Sequence, residues 1–152
     1  MKIATYLLLI TLPFLKYNGI HSQTIGSAPV SPIIWADTKG WRLYKVPPKG
    51  AFAYSIDTLQ LFKYTNLNQD SMKNFLREVS EIPAERRPVW MGYYVSTCQL
   101  PDGSLLKIEI SQYGRFFYAE KDRKYYQLKE EVGLDWLSYL TKKWLELEDV
   151  AK

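Results

Sequence analysis

The sequence predicts an α+β fold: an antiparallel meander sheet of about five to six strands with two helices packed on one face. Three observations lead there. The stretch Val89–Leu128 is aromatic and β-branched, and Pro101-Asp102-Gly103, Gly114 and Lys121-Asp122-Arg123 cut it into short runs, which is the pattern of strands joined by tight turns. Before and after this block, apolar residues recur at helical spacing instead. The chain has 152 residues, 47% hydrophobic and 24% charged, the composition of one globular domain, and no internal repeat divides it.

Residues 1–22 have the pattern of a secretory signal. Lys2 supplies the positive start, and Ile3–Leu15 is an apolar run of thirteen residues, short of the roughly 20 that a membrane-spanning helix needs. The competing reading is a buried N-terminal helix, which Pro13 and the polar residues after Lys16 disfavour. Cleavage after Ser22 removes His21, the only histidine, together with Lys2 and Lys16. The 20 basic residues become 18 against 16 acidic ones, a balance of +2. That is too small a charge to imply nucleic acid or an anionic membrane as partner. Once the signal is gone no stable membrane anchor remains, so an exported protein, periplasmic or extracellular, is expected.

Residues 23–50 form a Pro/Gly-rich lead-in, extended, with a short strand at Trp41–Val46. Ile33, Ile34 and Trp35 carry too much apolar area for a free tail. Residues 51–152 make up the single α+β domain. Within it Thr58–Thr65 is β-prone. Asn68 is a suitable N-cap for a helix with Met72, Phe75, Leu76, Val79 and Ile82 on one face, stopped by Pro83.

The central hairpin has two possible registers. A two-residue loop sets Cys98 opposite Lys107 and mixes polar with apolar faces. A three-residue loop Pro101-Asp102-Gly103, with Gly103 left-handed, sets Cys98 opposite Leu106 and Tyr94 opposite Ile110. A one-residue slip turns a strand's whole apolar set outward, so the second register is expected. Arg115–Glu120 and Lys124–Leu128 pair as a second hairpin. The closing helix runs from about Leu134 to Glu148, with Leu134, Leu137, Leu140, Trp144 and Leu147 as its apolar stripe, widened by Trp136.

The chemistry available to such a chain is narrow. Without histidine, Ser–His and Cys–His catalysis and the usual zinc sites are excluded for the processed chain, and no cofactor or metal is implied. Cys98 faces inward as a core thiol and has no partner for a disulfide. Glu109 and Glu120 on neighbouring strands could form a glycosidase-like pair. Two solvated charges beside Lys107 and Arg115 are the plainer reading.

The aromatic residues point further. Doublets such as Tyr93-Tyr94, Phe116-Phe117 and Tyr125-Tyr126 send one ring to each face of a sheet. If helices cover one face, the other carries Tyr93, Tyr113 and one ring of each later doublet, beside Lys107, Glu109 and Arg115. Tyr93, Lys107, Glu109, Tyr113 and Arg115 are therefore the expected partner-binding residues, since Tyr and Arg are enriched at protein contacts. The alternative is that the lead-in, with Trp35 and Trp41, folds across this face and buries it. The function expected is a soluble, non-catalytic interaction domain for a protein partner. A carbohydrate- or small-ligand-binding protein using the same rings, and a carboxylate-dependent hydrolase, are the alternatives.

Overall fold

The computed structural model describes residues 33–47, 54–88 and 92–149. The signal segment and residues 23–32 of the lead-in lie outside the described residues. Seven strands among the described residues form one antiparallel sheet: β1 Lys39–Tyr44, β2 Tyr64–Asn66, β3 Ser80–Ile82, β4 Gly92–Gln99, β5 Leu105–Ser111, β6 Phe116–Ala119 and β7 Lys124–Gln127. Their order across the sheet is β2-β1-β4-β5-β6-β7-β3. The fold is α+β, and the strand count is slightly higher than the sequence suggests.

The meander β4–β7 follows the turn chemistry. Cys98 pairs with Leu106 and Tyr94 with Ile110, and Gly103 at the turn has φ +83°. The three-residue loop therefore sets the register, because only glycine takes that conformation without strain. Leu106, Ile108 and Ile110 of β5, with Cys98 of β4 and Phe117 and Ala119 of β6, face the main core and are fully or almost fully buried.

That core is closed by two helices, α2 (Gln69–Phe75) and α3 (Glu130–Asp149). The Asn68 side chain accepts the Ser71 amide at 2.9 Å and caps α2. The expected helical face is too long, however. After Phe75 a single 3-10 turn, Leu76–Glu78, leads into β3. Ile82 precedes Pro83, which disfavours helical backbone there, and β7 offers an open edge with which Ser80–Ile82 pair. Helix α3 begins four residues earlier than expected, and its buried side is Gly133, Trp136, Leu140 and Leu147, with Leu137 and Trp144 partly covered. Leu134 falls outside this stripe and is exposed.

The lead-in belongs to the sheet. β1 lies between β2 and β4, two residues ahead of the strand expected at Trp41–Val46. Trp35, in a 3-10 turn, packs edge-on to Phe117 and Tyr126 at 5.2 and 5.1 Å. Trp41 donates its indole N–H to the Thr38 hydroxyl. Both tryptophans thus join the helix-side core and do not cross the opposite face.

The strand expected at Thr58–Thr65 is mostly something else. Ser55 accepts the Thr58 amide and starts a four-residue helix, α1 (Ile56–Leu59). Only Tyr64–Asn66 pairs with β1. A local side-chain cap has outcompeted β-propensity. Helix α1 lies on the face away from α2 and α3, where Leu59 packs with Tyr44, Val46 and Val95.

Candidate functional site

The second sheet face is the side chemistry can use. Alternation on β5 sends Lys107 and Glu109 there, opposite the Leu106–Ile110 set. Register places Thr97 of β4 beside Lys107, and Val95 of β4 and Tyr118 of β6 beside Glu109. Tyr118 pairs with Tyr125 of β7, their rings 4.9 Å apart. On the other side the Tyr44 hydroxyl meets the Thr97 hydroxyl at 3.2 Å, and the Tyr44 ring lies 5.7 Å from that of Tyr64. A polar, tyrosine-rich row thus crosses six strands.

Its centre is dry. Lys107 and Glu109 are 2% and 1% exposed, where solvated charges are expected from sequence. The Lys107 ammonium lies 2.9 Å from Glu109 Oε1 and 3.8 Å from Glu120 Oε1, and Glu120 is about half exposed. The second Glu109 oxygen, Oε2, has no hydrogen-bond partner among the described residues. Burial raises the Glu109 pKa above the ordinary glutamate value, against the opposing pull of Lys107. One ammonium therefore serves two carboxylates, and one carboxylate oxygen goes unserved.

Three arginines lie over aromatic rings, two of them along the tyrosine row and one at the β5–β6 turn. Arg42 of β1 sits 4.7 Å from the Tyr64 ring, Arg87 5.5 Å from Tyr125, and Arg115 5.6 Å from Phe116. Arg115 also reaches Glu130 at the start of α3, at 3.5 Å.

The five sequence-predicted contact residues separate into three places. Lys107 and Glu109 form the buried centre. Tyr113 is 68% exposed at the tip of the β5–β6 turn, with Arg115 just beyond it. Tyr93 does not share the face with them. A bulge between Gly92 and Tyr94 breaks the alternation, and the Tyr93 ring lies 6.3 Å from that of Trp144 on α3, which Lys45 approaches at 4.3 Å. Sequence reasoning left the outward ring of each later doublet unassigned; the register makes them Phe116 and Tyr125. It missed Arg42, Tyr64 and Arg87 altogether. Arg42 and Tyr64 were accessible through pairing with Tyr44, whereas no periodicity marks Arg87 in its loop.

The site offers hydrogen bonding and stacking more readily than bond-breaking. The Lys107 ammonium stands between Glu109 and Glu120, in the space that a water or glycosidic oxygen occupies between paired catalytic carboxylates. Burial pushes the Cys98 thiol up to about 12, far from a nucleophile's range. Among the described residues no group of three or more His, Cys, Asp or Glu is placed to hold a metal ion, and no helix is long and apolar enough to cross a membrane. No protein-family model, no curated protein and no solved structure matches this chain.

Proposed function

We propose that the protein is an exported, non-catalytic binding domain that engages a protein partner through the second face of its sheet. Export rests on the apolar run Ile3–Leu15 behind Lys2. The observation that carries the binding reading is the pair of arginine–aromatic contacts along the tyrosine row, Arg42 over Tyr64 and Arg87 over Tyr125, on either side of the buried Lys107 and Glu109, with Arg115 over Phe116 at the β5–β6 turn. Arginine and tyrosine are the residues most often found to dominate binding energy, and stacking holds the guanidinium in place before a partner arrives. Immobilised wild type and the Arg42→Ala/Arg87→Ala variant test it, each exposed to envelope and medium fractions. A protein held by the wild type and bound at least about tenfold more weakly by the variant, at nearly unchanged melting temperature, supports the reading. Equal retention by both forms overturns it.

A glycan ligand is the second reading, favoured by the Tyr118–Tyr125 ring pair next to the unpaired Glu109 oxygen. It requires a saccharide that raises the melting temperature of the wild type but not of Tyr118→Ala.

A further inference from the structure

We infer that Lys107, Glu109 and Glu120 form a proton-operated switch in which the Lys107 ammonium changes partner, from buried Glu109 to half-exposed Glu120, when Glu109 takes up a proton. The inference stands apart from the proposed function and rests on three pieces of geometry.

The first is that the two acceptors are unequal but both near. Lys107 Nζ is in hydrogen-bond contact with Glu109 Oε1 at 2.9 Å and lies 3.8 Å from Glu120 Oε1. A shift of about 1 Å, well within the rotamer freedom of a four-carbon stem, exchanges them. The second is Glu109 Oε2, buried and without a hydrogen-bond partner among the described residues. A solvent proton added there removes an unsatisfied buried charge. The third is the difference in solvation. Glu120 is 48% exposed whereas Glu109 is almost fully enclosed, so the desolvation that opposes charge falls mainly on Glu109. Once Glu109 is neutral, the only carboxylate near the ammonium among the described residues is Glu120.

The surroundings allow the exchange. On β4 the flanking residues are Val95 and Thr97, neither of which titrates in the relevant range. β6 and β7 present Tyr118 and Tyr125, and β1 presents Tyr44 and Arg42 further along the row; Arg42 and Arg87 lie over the Tyr64 and Tyr125 rings, and Arg123 acts on Tyr118. The Tyr118 phenol is raised, mainly by burial, and stays neutral throughout. Glu120 is a like charge that adds to the proton affinity of Glu109. In acid the ion pair therefore moves from the interior to the rim, and the net charge of the cluster goes from −1 to zero.

The experiment is carbon- and nitrogen-detected NMR titration of the Glu109 carboxyl and the Lys107 ammonium, in wild type and Glu120→Gln. Glu120 is half exposed, so that variant keeps the fold. In the wild type the Glu109 carboxyl should titrate above 4.5, the ordinary value, and the Lys107 resonances should move with the same midpoint. In Glu120→Gln the Glu109 midpoint should fall, because a like charge is gone, and the linked Lys107 movement should shrink by at least half. A Glu109 midpoint at or below the ordinary value overturns the inference. So do Lys107 resonances that stay still through the Glu109 step, or that move equally in both proteins.

Discussion

Glycine 114 gives a direct measure of how closely α3 is pressed against the sheet. It follows β5 in the turn closed by its amide on the Ser111 carbonyl, with φ +70°. A Cβ there would lie 2.6 Å from Leu137 Cβ, 2.8 Å from the Gly133 carbonyl oxygen and 3.2 Å from Leu137 Cα. All three belong to the helix framework or sit next to it, so no side chain can swing aside. Leu137→Ala would not relieve the contact, because alanine keeps the Cβ. Gly114→Ala therefore meets two penalties, about 1–2 kcal/mol for left-handed backbone and about 1–3 kcal/mol for overpacking. A gain of about 0.5 kcal/mol from stiffening the unfolded chain offsets them in part. The net loss should be about 3 kcal/mol. Gly103 and Gly40 are internal controls. Both have positive φ, yet a Cβ at Gly103 meets nothing nearer than 3.9 Å and one at Gly40 meets nothing within 4 Å. Each should lose only about 1 kcal/mol on substitution by alanine. Urea unfolding of the three variants, with slopes checked for constancy, reads the differences. Equal losses at all three positions would refute the close approach, because backbone strain would then account for everything.

Two further outcomes follow from the second face and the core. Lys107→Met leaves Glu109 buried without a counter-charge and should cost about 3–5 kcal/mol at pH 8, whereas Lys107→Met/Glu109→Leu should recover most of the loss. Because burial raises Glu109 in the folded state, falling pH delivers protons to the folded form first. The single variant's deficit should therefore shrink toward pH 5, and a deficit that grows in acid would contradict the assignment. Cys98, fully buried with its thiol pushed up to about 12, should resist alkylation at pH 8 until the protein unfolds; labelling at the rate of a free thiol would place it elsewhere.

How much of this was legible in advance depended on whether local and global preferences agreed. The β4–β5 register was readable because turn chemistry and alternation demand the same pairing, Cys98 with Leu106. Helix α3 was readable from its stripe, although Leu134 was counted in and Gly133 was not. Gly133 is buried because α3 meets the backbone of Arg115 there, 3.2 Å from where its Cβ would be, and such an approach leaves no periodic trace. Ser80–Ile82 looked helical because Val79 and Ile82 continue the spacing of Met72 and Phe75; the available β7 edge decided otherwise. Tyr93 was misplaced by one bulged residue. For the candidate site, alternation correctly put Lys107 and Glu109 on the second face. It could not say whether that face is wet or dry, since burial is a property of what lies above a strand rather than of the strand itself.

The strand order also bears on the protein's exposure to edge-to-edge pairing. The longest strands, β4 and β5, lie inside the sheet, and the rims are β2 and β3, three residues each. A rim this short exposes few unpaired amides and carbonyls, so it is a poor template for a second chain. This protection is thin. A proline at Thr65 would strip β2 away and uncover the edge of β1 that it pairs, Arg42–Tyr44. Such a variant would be recognised by concentration-dependent aggregation before any loss of the remaining fold.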